Sequence, residues 1–247
     1  GDANAFTVES LQATLPGIVA RLSEAVTVER SGKIRPGGAR FTVAADLAKL
    51  PWFAAKGAVT GEARLGSGLG QAPVVEFQLA ARDVASEDWT ASLVEAKGQL
   101  DWPRVRVSAG TLAGTAGERL QWRGGWDFAA KEILDAAAEG EIRRATVARW
   151  LPADVEFDAV TLKVEAAGPI AEFRHAGRAQ AEGVKLRALN PLGITLAWAG
   201  RGAKIDSFAA EATAGTTKIS AEGATDGEAV RLTKFELAQG GVAQLRL

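Results

Sequence analysis

VTLKVEAAGPIAEFRHAGRAQAEGVKL, residues 160–186, decides how the rest of the chain is read. In its first half Val160, Leu162 and Val164 form one face, with polar residues between them, which is the period-2 signature of a half-buried strand. After a Gly-Pro step the chain resumes as EFRHAGR, residues 172–178. About a hundred residues earlier EFQLAAR, residues 76–82, has the same frame E-F-x-x-A-x-R, with Leu79 where His175 stands. His175 is the sole histidine, and imidazole titrates near neutral pH, so it invites a catalytic reading. The matched frames give a plainer one, in which His175 occupies a strand position that leucine fills equally well.

The same alternation recurs along the chain. In PVVEFQLAARDV, Val75, Phe77 and Leu79 oppose Glu76, Gln78 and Arg82. In RVRVSAG, Val105 and Val107 oppose Arg104 and Arg106, and in RLQWRGGWDF, Leu120, Trp122, Trp126 and Phe128 alternate with Arg119, Gln121, Arg123 and Asp127. Ile194, Leu196 and Trp198 form another face, then Ile219 and Ala221. One-sided alternation predicts antiparallel strands with one apolar and one solvated face. Gly-rich clusters such as RPGG, GSGLGQAP and AGRG separate them as turns.

Helical signals are few. LPGIVARLSEAV places Leu15, Ile18, Val19, Leu22 and Val26 on one stripe behind Pro16, which predicts an N-terminal helix. DLAKLPWF (46–53) and ATVARWLP (145–152) each predict a turn or two of helix ended by proline. These two segments expose a repeat. Leu50-Pro51 and Leu151-Pro152 are 101 residues apart, Glu62-Ala63 answers Glu165-Ala166, TLAG at 111–114 answers ATAG at 212–215, and Asp127 answers Asp226. The offset wanders between 96 and 103, so turns vary while strand order holds. The expected organisation is an N-terminal helix with leading strands (1–45), a first β repeat (46–144) and a second (145–247), forming one continuous domain. Repeated strand units predict an elongated sheet that grows by addition.

Composition removes several function classes. With 29 basic and 30 acidic residues the chain lacks the basic excess or stripe of a nucleic-acid binder. Cysteine is absent, which excludes disulfides, thiolate metal sites and cysteine nucleophiles. With one histidine, a His-rich metal site is not expected either, and no cofactor is. No apolar run approaches the roughly 20 residues needed to span a bilayer, and no signal peptide opens the sequence. The chain starts at Gly1 and contains no Met, so it reads as a piece of something longer.

The segments VTLKVEAAGPIAEFRHAGRAQAEGVKL (160–186) and GITLAWAGRGAKIDSFAAEATAGTTKISAEGATD (193–226), with a short helix ending in LP or PW before each strand series, resemble the repeats of TamB and the wider AsmA-like proteins. The resemblance is one of rhythm and covers roughly residues 26–240; the family's terminal regions are not visible. It implies an all-β fold, an elongated, curved, mostly antiparallel sheet rolled into a trough with an apolar inner face. It also implies a periplasmic location in a parent chain anchored in the inner membrane. The implied partners are phospholipid acyl chains and an outer-membrane β-barrel, the latter reached through a part of the parent chain not present here. The implied work is phospholipid transfer between the two membranes, outer-membrane protein translocation and assembly, or both.

No catalytic constellation converges on His175, and Glu76, Glu172, Asp101 and Asp206 fall where strands alternate outward, so an enzyme is not expected. GSGLG (66–70) has no lysine-serine after it and no helix beginning there, and it reads as a turn and not as a phosphate loop. Trp52 and Trp150 are expected to anchor the short helices. Val75, Phe77, Leu79, Val105, Val107, Leu120, Trp122, Trp126, Val160, Leu162, Val164, Ile194, Leu196, Trp198 and Ile219 are the candidates for the apolar face. They either line a path for lipid or pack into a closed dry core of a structural β-repeat module, and the residues alone leave both open.

Overall fold

The computed structural model describes residues 4–35, 37–50, 54–66, 74–87, 89–148, 154–186 and 191–247. Among the described residues twenty strands alternate with turns. The chain opens with β1 (Ala5–Val8), β2 (Gln12–Leu15), β3 (Ile18–Leu22), β4 (Val26–Glu29), β5 (Ile34–Arg35) and β6 (Ala39–Asp46). The longer strands follow: β7 (Ala55–Leu65), β8 (Val74–Ser86), β9 (Thr90–Asp101), β10 (Arg104–Gly114), β11 (Arg119–Asp127) and β12 (Glu132–Arg143). The last eight are β13 (Val155–Glu156), β14 (Ala159–Pro169), β15 (Arg174–Leu186), β16 (Leu192–Arg201), β17 (Lys204–Ala214), β18 (Thr217–Thr225), β19 (Val230–Gln239) and β20 (Val242–Arg246). Among the described residues the helical elements are one 3-10 turn, Leu47–Lys49, and one α-helical turn, α1 (Arg144–Val147). The fold is all-β, and the strand pairs within each part of the chain are antiparallel, as the alternation predicts. Strands β1, β4 and β5 make a separate three-stranded sheet.

Two compact units divide the chain: Gly1–Thr115 with Arg123–Ala129, and Ala116–Trp122 with Ala130–Leu247. In the first unit β2, β3, β6, β7, β8, β9 and β10 pair in chain order. In the second, β12, β14, β15, β16, β17, β18, β19 and β20 do the same, and β13 flanks the end of β15. Each unit contains a strand, a short helical turn and a return strand at the places the sequence repeat marks. Asp46 caps the 3-10 turn by accepting from Ala48 N at 3.2 Å, and Leu47 is buried against Ala55, Val84 and Ala91. In the second unit the buried Glu118 accepts from Ala116 N at 2.9 Å and from the Thr146 hydroxyl of α1, so a carboxylate fastens this helical turn. The proline ends of both segments, with Trp52 and Trp150, lie outside the described residues, as do residues 67–70 of GSGLG.

Three expectations change. The N-terminal helix predicted from LPGIVARLSEAV is a β-hairpin of β2 and β3. Pro16-Gly17 forms its turn, and Gly17 sits at φ 78° with its carbonyl accepting from Asp46 N at 2.8 Å. A stripe at helical spacing was outweighed by the turn dipeptide and by β-branched Ile18 and Val19, which favour strand. EFRHAGR begins its strand only at Arg174, because Glu172 closes the preceding turn by donating its N–H to Pro169 O at 3.0 Å. Asp127, expected to point outward, is buried, where Arg104 Nε reaches its Oδ2 at 2.7 Å and Ala129 N its Oδ1 at 3.0 Å.

Gly17 also lacks room for a side chain, since a Cβ would lie 2.9 Å from Lys49 Cβ and 3.1 Å from Asp46 O. Gly17→Val is therefore expected to destabilise the first unit by roughly 1–3 kcal/mol, read as a lower urea midpoint with an unchanged slope. A midpoint equal to that of the unsubstituted chain would show that the hairpin does not hold this conformation.

Candidate functional site

Directly paired residues of an antiparallel ladder place their side chains on the same face, so the register assigns faces strand by strand. In the first unit four rows cross the sheet. Leu22, Phe41, Ala63, Phe77, Gly98 and Val107 form one; Ala20, Val43, Gly61, Leu79, Ala96 and Gly110 form the next. Ile18, Ala45, Val59, Ala81, Val94 and Leu112 form the third, and Ala39, Leu65, Val75, Leu100 and Val105 the fourth. No polar side chain interrupts any of them. The opposite face of the same strands carries Thr42, Glu62, Gln78 and Lys97 in one row and Arg40, Arg64, Glu76, Gln99 and Arg106 in another.

The second unit repeats the arrangement. Ile142, Val160, Ala181, Ile194, Ala212, Ile219, Leu237 and Leu245 run across eight strands. Beside them run Gly140, Leu162, Ala179, Leu196, Ala210, Ala221 and Phe235, then Ala138, Val164, Gly177, Trp198, Phe208, Gly223 and Leu232. The outermost row is Ala136, Ala166, His175, Gly200, Ile205 and Thr225. His175 therefore does face the apolar side, as Leu79 does, but it belongs to the one row that also admits a threonine.

Of the candidate residues, Val75, Phe77, Leu79, Val105 and Val107 share one face in the first unit. Val160, Leu162, Val164, Ile194, Leu196, Trp198 and Ile219 share one in the second. On β11, Leu120, Trp122 and Trp126 are partly buried and alternate with exposed Arg119, Gln121 and Arg123. Trp126 meets Phe128 edge-on at 6.5 Å, and Phe128 stacks on Trp102 at 5.4 Å. Sequence reasoning missed Phe41, Val43, Phe208, Phe235 and Leu237. Phe41 and Val43 alternate with Arg40 and Thr42, a usable signal in a strand only eight residues long.

The rings of this face rest on glycines of neighbouring strands. A Cβ on Gly98 would come within 2.8 Å of the Phe77 ring, one on Gly223 within 2.9 Å of Phe208, one on Gly200 within 2.8 Å of His175, and one on Gly177 would collide with the indole of Trp198. A bare backbone lets each ring lie across the sheet instead of standing up from it, which recovers the packing that the glycine itself cannot supply. The outcome is a low, continuous apolar surface. None of the large side chains in these rows is buried below the surface; each keeps part of its area in contact with water. Among the described residues the buried apolar ones are few and mostly small: Val26, Ala39, Leu47, Ala55, Val84, Ala91, Ala181 and Val184.

Among the described residues no group of three or more His, Cys, Asp or Glu is placed to hold a metal ion. Asp226 has its carboxyl held below the usual range by N–H donation from Ala229 and Glu228, at 3.0 and 3.1 Å, in an exposed turn. Lys234 is raised by its hydrogen bond from Nζ to Glu222 at 2.9 Å, also at the surface. The buried Glu118 and Asp127 are occupied in fastening turns. Among the described residues no helix is long and apolar enough to cross a membrane. In comparisons with known proteins, no protein family, curated protein or solved structure matches the chain.

The glycine seats are testable by coupling. Gly177→Ala is expected to lower the urea midpoint, the equivalent of about 1–3 kcal/mol for a forced ring displacement, and to cost much less in a Trp198→Ala background. Additive losses in the double-mutant cycle would mean that Trp198 does not lie on Gly177.

Proposed function

We propose that this chain is a non-enzymatic segment of a TamB/AsmA-like envelope protein, whose apolar sheet face carries phospholipid acyl chains between the inner and outer membranes. The observation that carries the proposal is the pair of apolar faces, one in each unit, broken in the outermost row of the second by His175 and Thr225; their large side chains remain partly open to water. An apolar face of this extent on a monomer is expected to serve as an interaction surface, because water leaves it uncovered only at a free-energy penalty. Acyl chains suit it by chemistry. Burial of a methylene is worth at most about 0.8 kcal/mol, and a surface of flat rings and small residues offers many equivalent positions and no deep trap. Movement along such a surface needs no catalytic group.

In this reading the parent protein is anchored in the inner membrane, the segment lies in the periplasm, and an outer-membrane β-barrel is met by another part of the parent. Outer-membrane protein translocation and assembly would draw on the same surface, through the apolar side of an extended client. The trough form expected from the family is part of this proposal. A structural β-repeat module with a dry core is the second reading. It is favoured by one local feature, the buried cluster of Leu47, Ala55, Val84 and Ala91 under the 3-10 turn.

Native mass spectrometry of the purified chain after incubation with phospholipid discriminates the two. Bound lipid is expected, with occupancy reduced at least tenfold in Phe77→Asp and Trp198→Glu while the far-ultraviolet circular dichroism keeps its β signature. A chain that takes up no lipid and loses its fold with either substitution would favour the closed core and overturn the proposal.

A further inference from the structure

Arg40 and Arg64 stand directly opposite one another in the ladder between β6 and β7, on the face turned away from the apolar rows. Like charges in directly opposed positions destabilise a sheet. Their compensation is thin: Arg40 Nε is 4.0 Å from Glu24, Arg64 Nη1 is 3.8 Å from Glu76, and Arg64 Nη2 is given to the carbonyl of Gly37 at 2.8 Å. Lys97 and Arg106, two and three strands beyond β7, have no carboxylate within salt-bridge reach among the described residues. These four cations line a groove of about 650 Å³ in which Glu62 and Glu76 are the acidic side chains, so the lining carries a formal excess of two positive charges. The volume is that of a small-molecule site.

We infer that this groove binds a phosphorylated polyol, free or as the headgroup of a lipid. Two opposed guanidinium forks can share the oxygens of one phosphate, which accepts bidentate hydrogen bonds and carries close to two negative charges at neutral pH as a free monoester and one as the diester of a lipid headgroup. The monoester charge matches the excess in the lining, and either form relieves the repulsion between Arg40 and Arg64. Gln78 and Gln99 complete the groove with side chains that both donate and accept, as the hydroxyls of a polyol require, and Ser108 adds an acceptor. Ser108 stands at a bulge between Val107 and Ala109 and is exposed, its hydroxyl hydrogen given to Lys97 O at 3.1 Å, so its lone pairs remain to accept. The groove and the apolar rows are opposite faces of the same strands, so a single phospholipid cannot occupy both. The site is independent of acyl-chain carriage.

Isothermal titration calorimetry of the whole chain at low ionic strength, with glycerol 3-phosphate and glucose 6-phosphate, tests this. Co-sedimentation with phosphatidylglycerol vesicles, against phosphatidylcholine vesicles, forms the second arm. Saturable binding is expected, weakened at least tenfold by Arg40→Gln combined with Arg64→Gln, and left unchanged by Arg174→Gln combined with Arg201→Gln, another directly opposed pair in the β15–β16 ladder. The unliganded Arg40/Arg64 variant should melt no lower than the unsubstituted chain, since it removes a repulsion. Arg106→Gln supplies the same reading if that variant fails to fold. Binding to the free compounds identifies a soluble ligand, and binding to phosphatidylglycerol vesicles alone identifies a headgroup. Absence of binding in both arms, or equal losses in the Arg174/Arg201 control, overturns the inference.

Discussion

Cross-strand register is the constraint on which the rest depends. Side chains alternate with a period of two, so a slip of one residue in any ladder would exchange the faces of every strand beyond it. In the first unit the register of β6 through β10 keeps Phe41, Ala63, Phe77, Gly98 and Val107 level, and in the second that of β14 through β18 keeps Leu162, Ala179, Leu196, Ala210 and Ala221 level. The bulges respect this. The one at Ser108 absorbs a residue without moving Ala96, Gly110, Val94 or Leu112 off the apolar face. Both solvated faces and both apolar ones follow from ladders whose register shifts leave the apolar rows aligned.

An apolar face with no buried bulky side chains is unusual for a sheet, because burial ordinarily supplies the stability. Here the ladders themselves do much of the holding, since strands of nine to thirteen residues hydrogen-bond along most of their length. Glycine seats contribute as well, letting Phe77, Trp198 and Phe208 cover neighbouring backbone. Alanine fills many of the remaining row positions, which keeps the surface level. Flatness and partial exposure are what an acyl chain needs from a surface that it must leave as readily as it joins.

The reverse face follows a different rule. Mixed charges in register make long-range ion pairs, such as Lys234 with Glu222 and Lys218 with Glu211, that contribute little individually at such exposure. Two directly opposed arginine pairs depart from that rule, Arg174 with Arg201 and Arg40 with Arg64, and the second coincides with a groove. The two faces of the sheet in the first unit thus carry two chemistries, one apolar and one charged.

Much of this was legible in the sequence. Alternation in VTLKVEAAG and PVVEFQLAARDV is enforced by the pleat, so the strands and their faces could be read without a structure, and the matched frames at 76 and 172 already marked His175 as a strand residue. The helix drawn over residues 15–26 failed because a stripe of five apolar residues is compatible with either period, and only the ladder to β6 chose between them. Asp127 was misplaced for a related reason: alternation says which side a residue faces, not whether Arg104 arrives from another strand to bury its charge. The sequence by itself determined the element type and the two-faced character, because both are local consequences of the pleat. Tertiary structure decided which strands share a row, which rings find a glycine beneath them, and which like charges meet, because those are properties of pairing between strands and no single strand encodes them.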